Sequence, residues 1–367
     1  MQKIIIILFF ISPFCKAQDV FTDILQGEFP ISISMVNNDL YVGTFPTTNS
    51  NARLFKIDTS NPSTAVLVSD FGSASSGVWK MAYYPSLNHL YTVEFFRFLK
   101  VDLNLTIPIT GEEIGFVPNA TAQGASIFND ELYIPSREII YKWNIKGGGN
   151  ELNPFFTESE NSEIRNPVFY GNELYYSKRE GNEFDIYKID VTEPNPKPIL
   201  VSFMDGIIGA VQSSLVVQNY LYLGIEGVSE NKIVRLDLSE NNLPLEPEIL
   251  VSDTGGVPLG LTYKGNTIYY STSDEQYIWS IIDPDLDLEN YKNPRFTIFP
   301  NPSSDKLFIQ NSKLDTFGFS IFDIQGKRLQ TGIYSEEGIN ISNYEKGMYF
   351  LSVTKERNTE TMKFIKN

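Results

Sequence analysis

At 367 residues, 42% of them hydrophobic and 13% aromatic, the chain carries enough apolar side chains for a large core and too many for disorder. A formal net charge of −16 argues against a phosphate backbone as partner, which draws on clustered Lys and Arg, and against adhesion to anionic lipid. With one histidine and one cysteine, Ser-His-Asp catalysis, a thiol nucleophile and His-rich metal sites are excluded before any motif is sought.

Lys3 is followed by an apolar run from Ile4 to Phe14, shorter than the roughly 20 residues that a spanning helix needs, and this reads as a secretory signal. Small residues at Cys15 and Ala17 flank Lys16, which predicts a signal peptide of residues 1–17 and cleavage between Ala17 and Gln18. Phe14 stands where a lipoprotein signal requires a small residue, so Cys15 is not read as lipidated. Cleavage removes the only cysteine, and the mature chain is expected to have neither a disulfide nor a transmembrane segment.

From residue 18 onward the aromatic-rich composition suits strands. Six segments place a Leu-Tyr or Ile-Tyr pair after a polar turn: NNDLYVG, LNHLYTV, NDELYIP, GNELYYS, QNYLYLG and GNTIYYS. Their tyrosines, Tyr41, Tyr91, Tyr133, Tyr175, Tyr222 and Tyr269, recur at intervals of roughly 40–50 residues, the length of one four-stranded propeller blade. Downstream lies a second column, LFKID, FLKVD, IYKWN, IYKID and IVRLD, alternating with period two as a strand demands. Its cations Lys56, Lys100, Lys142, Lys188 and Arg235 are expected to pair with Asp58, Asp102, Asp190 and Asp237 two residues on, or with a neighbouring blade. Further apolar runs before and after these columns bring each repeat to four strands.

The sixth repeat has three strands, and an orphan segment at 19–27, DVFTDILQG, stands before the first. If the orphan completes the last blade, no sheet edge is left open at the seam, so the prediction is an all-β, six-bladed propeller over residues 18–290, closed by its N-terminal strand. This pattern resembles the propellers of the low-density-lipoprotein-receptor and gluconolactonase type. A scaffold does not imply an activity.

Propeller ligands concentrate where the loops joining fourth to first and second to third strands meet the axis, and loops on a rigid scaffold carry function. The candidates there are Trp79, Lys80, Gln123, Arg165 and Asn166, with Trp79 and Lys80 read as an aromatic plate and polar tip for a sugar or peptide. The gluconolactonase resemblance implies an alternative, a calcium ion held by Glu28, Asn166 and Asp205 and a lactone or ester hydrolysed upon it. Phe29 and the Arg165-Asn166-Pro167 context depart from that family's pattern, and no catalytic residue is assigned. His89 falls in a turn at the opposite end, and KGGGN at 146–150 reads as a turn.

The acidic segment DPDLDLENYKNP changes the texture. Asp283, Asp285 and Asp287 imitate a calcium loop, but Leu288 and Pro294 replace its glycine and glutamate, so it reads as a solvated linker. Residues 291–367 follow as short alternating strands punctuated by turns, a small immunoglobulin-like β-sandwich. Phe299-Pro300-Asn301-Pro302, then Asp323 with Gly326-Lys327, then Gly347-Met348-Tyr349 and the closing Lys363-Phe364-Ile365-Lys366 resemble the type A C-terminal sorting domain of the type IX secretion system. Phe299 stands where that family usually has Tyr. The resemblance implies the secretion machinery as partner and delivery to the cell surface or beyond it. The expectation is therefore an exported binding module for a glycan, peptide or protein, without a cofactor; calcium belongs to the hydrolase alternative alone.

Overall fold

The computed structural model describes residues 18–367 except 49–50, 73–74, 121, 182, 205–208, 241, 274–275, 287–295, 312–316, 336–337 and 356–357. The predicted signal, with Ala17, lies outside the described residues. Two compact units divide the chain at Asp287 and Leu288. No helix among the described residues is long and apolar enough to cross a membrane.

The first unit is a ring of four-stranded antiparallel sheets. Their innermost strands are Phe29–Val36, Lys80–Tyr84, Ser126–Phe128, Glu163–Tyr170, Gly209–Val217 and Pro258–Lys264, blades 1 to 6. Each inner strand packs beside the next, and that of blade 6 packs beside that of blade 1. The sixth sheet takes its outermost strand from the chain start: Gln18–Thr22 pairs antiparallel with Ile278–Ile282, Val20 opposite Trp279.

The repeated turn motif has a backbone cause. In every blade one residue of the turn after the inner strand is left-handed, the first in five blades (Asn37, Asn129, Gly171, Gln218 and Gly265) and the last, Asn88, in the longer turn of blade 2. Glycine reaches that region without steric cost and asparagine tolerates it, which is why the six turns share so few residue types. The tyrosine that follows each turn is buried. Tyr41, Tyr91, Tyr133, Tyr175 and Tyr222 face Lys56, Lys100, Lys142, Lys188 and Arg235 across the second hairpin.

The cations do not pair with the acids two residues on. Lys56 meets Asp39 at 3.1 Å, Lys100 meets Glu112 at 2.5 Å, Lys142 meets Glu131 at 3.1 Å and Lys188 meets Glu173 at 2.7 Å, all within the same blade. Asp58, Asp190 and Asp237 instead accept the backbone N–H and hydroxyl of Ser60, Thr192 and Ser239, and Asp102 accepts the backbone N–H of Asn104. These are local turns by short polar side chains, which end the strand.

Hydrophobic burial lies between blades rather than inside them. One cluster joins Leu40, Val42 and Ile57 of blade 1 to Tyr269 and Ile278 of blade 6. Five further clusters fill the interfaces 1/2, 2/3, 3/4, 4/5 and 5/6. A blade has no complete core of its own, so closing the ring is what removes the last two apolar faces from water.

The second unit has one sheet ordered Arg328–Ile333, Gly318–Phe322, Gly347–Lys355, Asn358–Lys366 and another ordered Phe296–Phe299, Lys306–Asn311, Ile339–Asn340. Leu307, Ile309 and Ile339 from one and Ile321, Leu351, Val353 and Phe364 from the other share a single core.

Candidate functional site

The inner strands converge on the axis, and pairing with the six tyrosines fixes which of their residues are equivalent. Ser34, Ala82, Ser126, Val168, Leu215 and Thr262 lie opposite Tyr41, Tyr91, Tyr133, Tyr175, Tyr222 and Tyr269. Two residues earlier in each strand stand Ser32, Lys80, Gly124, Asn166, Ser213 and Gly260, and these six form one ring around an axial cavity of about 100 Å³. The next ring, Ile33, Met81, Ala125, Pro167, Ser214 and Leu261, lines the same cavity.

The first ring couples neighbouring blades. Ser32 Oγ donates to the Val78 carbonyl, Asn166 Nδ2 to that of Val211 at 2.8 Å, and Ser213 Oγ to that of Pro258 at 2.6 Å. At Gly124 a Cβ would stand 2.3 Å from Pro167 Cδ, and at Gly260 it would stand 2.9 Å from Ile33 N, so at those two points the adjoining blade takes the space of a side chain.

Lys80 breaks the pattern. Its side chain crosses the axis, and Nζ donates to the carbonyls of Gln212 in blade 5 at 2.5 Å and Leu259 in blade 6 at 3.1 Å. Burial, and secondarily the Arg165 guanidinium, lowers its pKa to about 7. Arg165 is held by Glu163, Nε to Oε1 at 2.8 Å, and lies 5.7 Å over the Phe184 ring. Its third nitrogen approaches Gln212 Oε1 at 3.5 Å, while Gln212 Nε2 donates to Glu226 at 2.6 Å. Gln123 enters this neighbourhood through its backbone, its carbonyl accepting the Asn166 N–H at 2.9 Å. Four of the predicted residues, Lys80, Gln123, Arg165 and Asn166, are thus brought together around the axis.

Trp79 belongs elsewhere. Its Nε1 donates to the Ser76 carbonyl at 2.7 Å, and its ring stacks on Phe95 at 4.6 Å and meets Phe45 edge-on at 5.6 Å. Neighbours along an extended chain point apart, so Trp79 and Lys80 do not make a joint platform. Phe45 pairs with Phe29 at the end where the inner strands of blades 1 and 2 begin, and both stay exposed, 38% and 36%.

The three residues of the calcium alternative have the following surroundings. Glu28 is buried and held by Arg53 at 2.6 Å, Asn166 spends its amide nitrogen on blade 5, and Asp205 lies outside the described residues. Arg53 engages Oε1 of Glu28, while Oε2 is buried without a hydrogen-bond partner. No group of three His, Cys, Asp or Glu able to hold a metal occurs among the described residues.

Gln212, Phe45 and Phe95 were not among the predicted residues. The column Ile31, Trp79, Gln123, Arg165, Gln212, Leu259, one place before the first ring, contains the signal for Gln212. Phe45 and Phe95 each stand four residues after a repeat tyrosine, Tyr41 and Tyr91, a spacing that could have found them.

In the second unit the two halves of the sorting motif meet. Asn301 Nδ2 donates to the Lys363 carbonyl at 3.0 Å, and the Ile365 N–H donates to Asn301 Oδ1 at 3.0 Å. Ser303 bridges Lys366, so the Pro300-Asn301-Pro302 turn lies against the last strand. Tyr349 stacks on Phe364 at 5.5 Å, Gly347 pairs with Lys366, and Lys366 Nζ donates to the Asn367 carbonyl at 2.7 Å. Phe299 rests on Phe308 at 5.7 Å and remains exposed, as does Lys363.

Residues 297–367 match the family described as secretion system C-terminal sorting domain. This unit is the type IX sorting tail. The protein is therefore exported to the cell surface or the extracellular space, and the sorting domain implies the N-terminal signal and an interaction with the secretion machinery.

No curated protein matches the sequence. Solved structures similar to the chain include regucalcin, a calcium-binding protein from Agrobacterium tumefaciens, at 12% identity over 73% of this chain and 94% of that one, with a TM-score of 0.52. A putative glucose dehydrogenase from Thermus thermophilus follows at 11% identity, 73% and 100% coverage and a TM-score of 0.53. A luciferin-regenerating enzyme follows at 8% identity, 73% and 96% coverage and a TM-score of 0.53. At these identities the likeness is one of fold.

Proposed function

We propose that the propeller is a binding module carried out of the cell by its sorting tail, and that its ligand meets the end of the ring where the inner strands of blades 1 and 2 begin. One observation carries this reading: Phe45, Trp79 and Phe95 are in ring contact there, with Phe29 opposite Phe45 across the hairpin, and Phe29 and Phe45 are open to solvent. Aromatic faces held rigidly by their neighbours suit the apolar face of a sugar ring or a peptide side chain. The axial cavity supports the same reading from the other side. At about 100 Å³ it is smaller than the roughly 300 Å³ at which small-molecule pockets begin.

A carbohydrate and peptide array probed with the secreted protein tests this. Retained ligands should weaken at least tenfold on Phe45→Ala while the unfolding midpoint stays in place. Binding indifferent to Phe45→Ala and Phe95→Ala would refute the assignment. Calcium-dependent lactone turnover, lost on Glu28→Gln, would establish the hydrolase in its stead.

A further inference from the structure

The lysines of the repeat column each meet a carboxylate; Lys80 meets none among the described residues. Its two acceptors are peptide carbonyls. A neutral amine has two hydrogens, so these carbonyls occupy both and leave the nitrogen lone pair for the cavity that the residue lines. The rest of the lining is apolar, glycine, serine or asparagine, and none of it titrates. One charge acts on the amine, that of Arg165 from blade 4, with Glu163 behind it; Glu226 of blade 5 is engaged by the side chain of Gln212. Desolvation and a neighbouring guanidinium both favour the unprotonated form, the circumstance that turns lysine into a nucleophile near neutral pH.

We propose that Lys80 is a nucleophilic amine and that the axial cavity is a covalent binding site for a small carbonyl compound, preferentially a 2-oxo acid of two or three carbons. The lone pair of Nζ attacks the carbonyl carbon, and the C=O π pair moves to oxygen, which takes up a proton as nitrogen gives one up. Loss of that hydroxyl as water leaves an imine. One amine and one carbonyl become one imine and one water, with no change of oxidation state. The cavity of about 100 Å³ has the volume of about three liquid waters at about 30 Å³ each, so it admits only the smallest carbonyl compounds. Arg165 does not line the cavity and is held by Glu163, but its charge reaches the Lys80 amine, and it is the positive charge toward which the carboxylate of a 2-oxo acid is drawn. The proposal does not depend on the aromatic end of the ring.

The full secreted protein is incubated with glyoxylate and cyanoborohydride, which reduces an imine to a stable secondary amine, and adducts are located by peptide mass mapping. At pH 7 about half of Lys80 is neutral, against about one in 2,500 for a surface lysine, so Lys80 should be the first lysine to carry an adduct. Its labelling rate should fall about fivefold from pH 7 to pH 6 and continue downward, about tenfold for each further unit. Acetaldehyde should label it more slowly, and Lys80→Arg should remove the adduct at this site alone. Labelling of Lys80 no faster than Lys188 would overturn the proposal, whether or not the variant folds, because both lysines are compared in one unmodified protein. Equal rates for glyoxylate and acetaldehyde would overturn the preference for a 2-oxo acid.

Discussion

Around the rim of the ring, Lys56, Lys100, Lys142 and Lys188 each lie across a hairpin from a tyrosine and end on a carboxylate; at the axis, Lys80 ends on two carbonyls of the opposite blades. The difference follows from position. A rim cation keeps contact with water and gains little from its partner, whereas the axial amine gives up hydration and receives only dipoles in return. Arg235 is the rim cation that does not fit, for it is buried beneath the turn that follows blade 6. Its nitrogens meet Glu248 at 2.6 Å, Asp283 at 2.8 Å and Asp285 at 2.5 Å, and its guanidinium lies 4.4 Å over Tyr220.

Arg235 thus separates the effect of burial from that of pairing. Arg235→Ala takes the guanidinium from Asp283, which is fully buried, and leaves in place the hydrogen bonds it accepts from the Tyr222 hydroxyl at 2.7 Å and the Asp285 N–H at 3.1 Å. Removing one member of a buried pair costs about 3–5 kcal/mol, because the other charge stays desolvated. Urea unfolding, read on the propeller transition, checks this; a loss below about 1 kcal/mol would place Arg235 with the exposed rim pairs.

Lys80 gives the next largest effect, and it depends on pH. Its pKa is about 7 in the folded chain and about 10.4 unfolded, so between those values the unfolded state binds more protons. Stability therefore rises with pH across that window, and the burial penalty is fully present below pH 7. From pH 7 to pH 9 the gain should reach about 2 kcal/mol. Tyr41 and Tyr91, each pushed up to about 12 by burial, act in the opposite sense above pH 10, as the unfolded tyrosines ionise first, so the measurement ends below that. In Lys80→Met the slope between pH 7 and pH 9 should vanish; an unchanged slope would assign it to another group.

The same contrast marks how much of the molecule could be read from its residues. Turn, tyrosine and cation are local and recur six, six and five times, so their period revealed the blades and their strands, while the sorting tail was legible from its own ordered motifs. The acids of the cation column were misassigned because spacing two along a strand satisfies both an ion pair and a turn; Asp58-Thr59-Ser60 and Asp237-Leu238-Ser239 carry the turn signature in full. Lys80 was picked out, but its contacts lie 132 and 179 residues away and exist only because the ring places blade 2 opposite blades 5 and 6. Glu28 likewise looked free until the fold put Arg53 beside it. Local chemistry repeats and is visible; chemistry that depends on closure is not.

The smallest effect is expected at Lys56, where the rim rule is at its plainest. Lys56 and Asp39 are each about one-third exposed and 3.1 Å apart, so water screens the pair in both states. Fixing two mobile side chains costs entropy that offsets much of the attraction, and exposed pairs of this kind contribute about 0.2–1 kcal/mol. Lys56→Ala should shift the urea midpoint by that amount at low salt and by less at 1 M salt, where the Debye length is about 3 Å. If the loss instead exceeded 2 kcal/mol and ignored salt, the lysine stem would be acting by packing on Tyr41 across the hairpin, and the rim would resemble the axis after all.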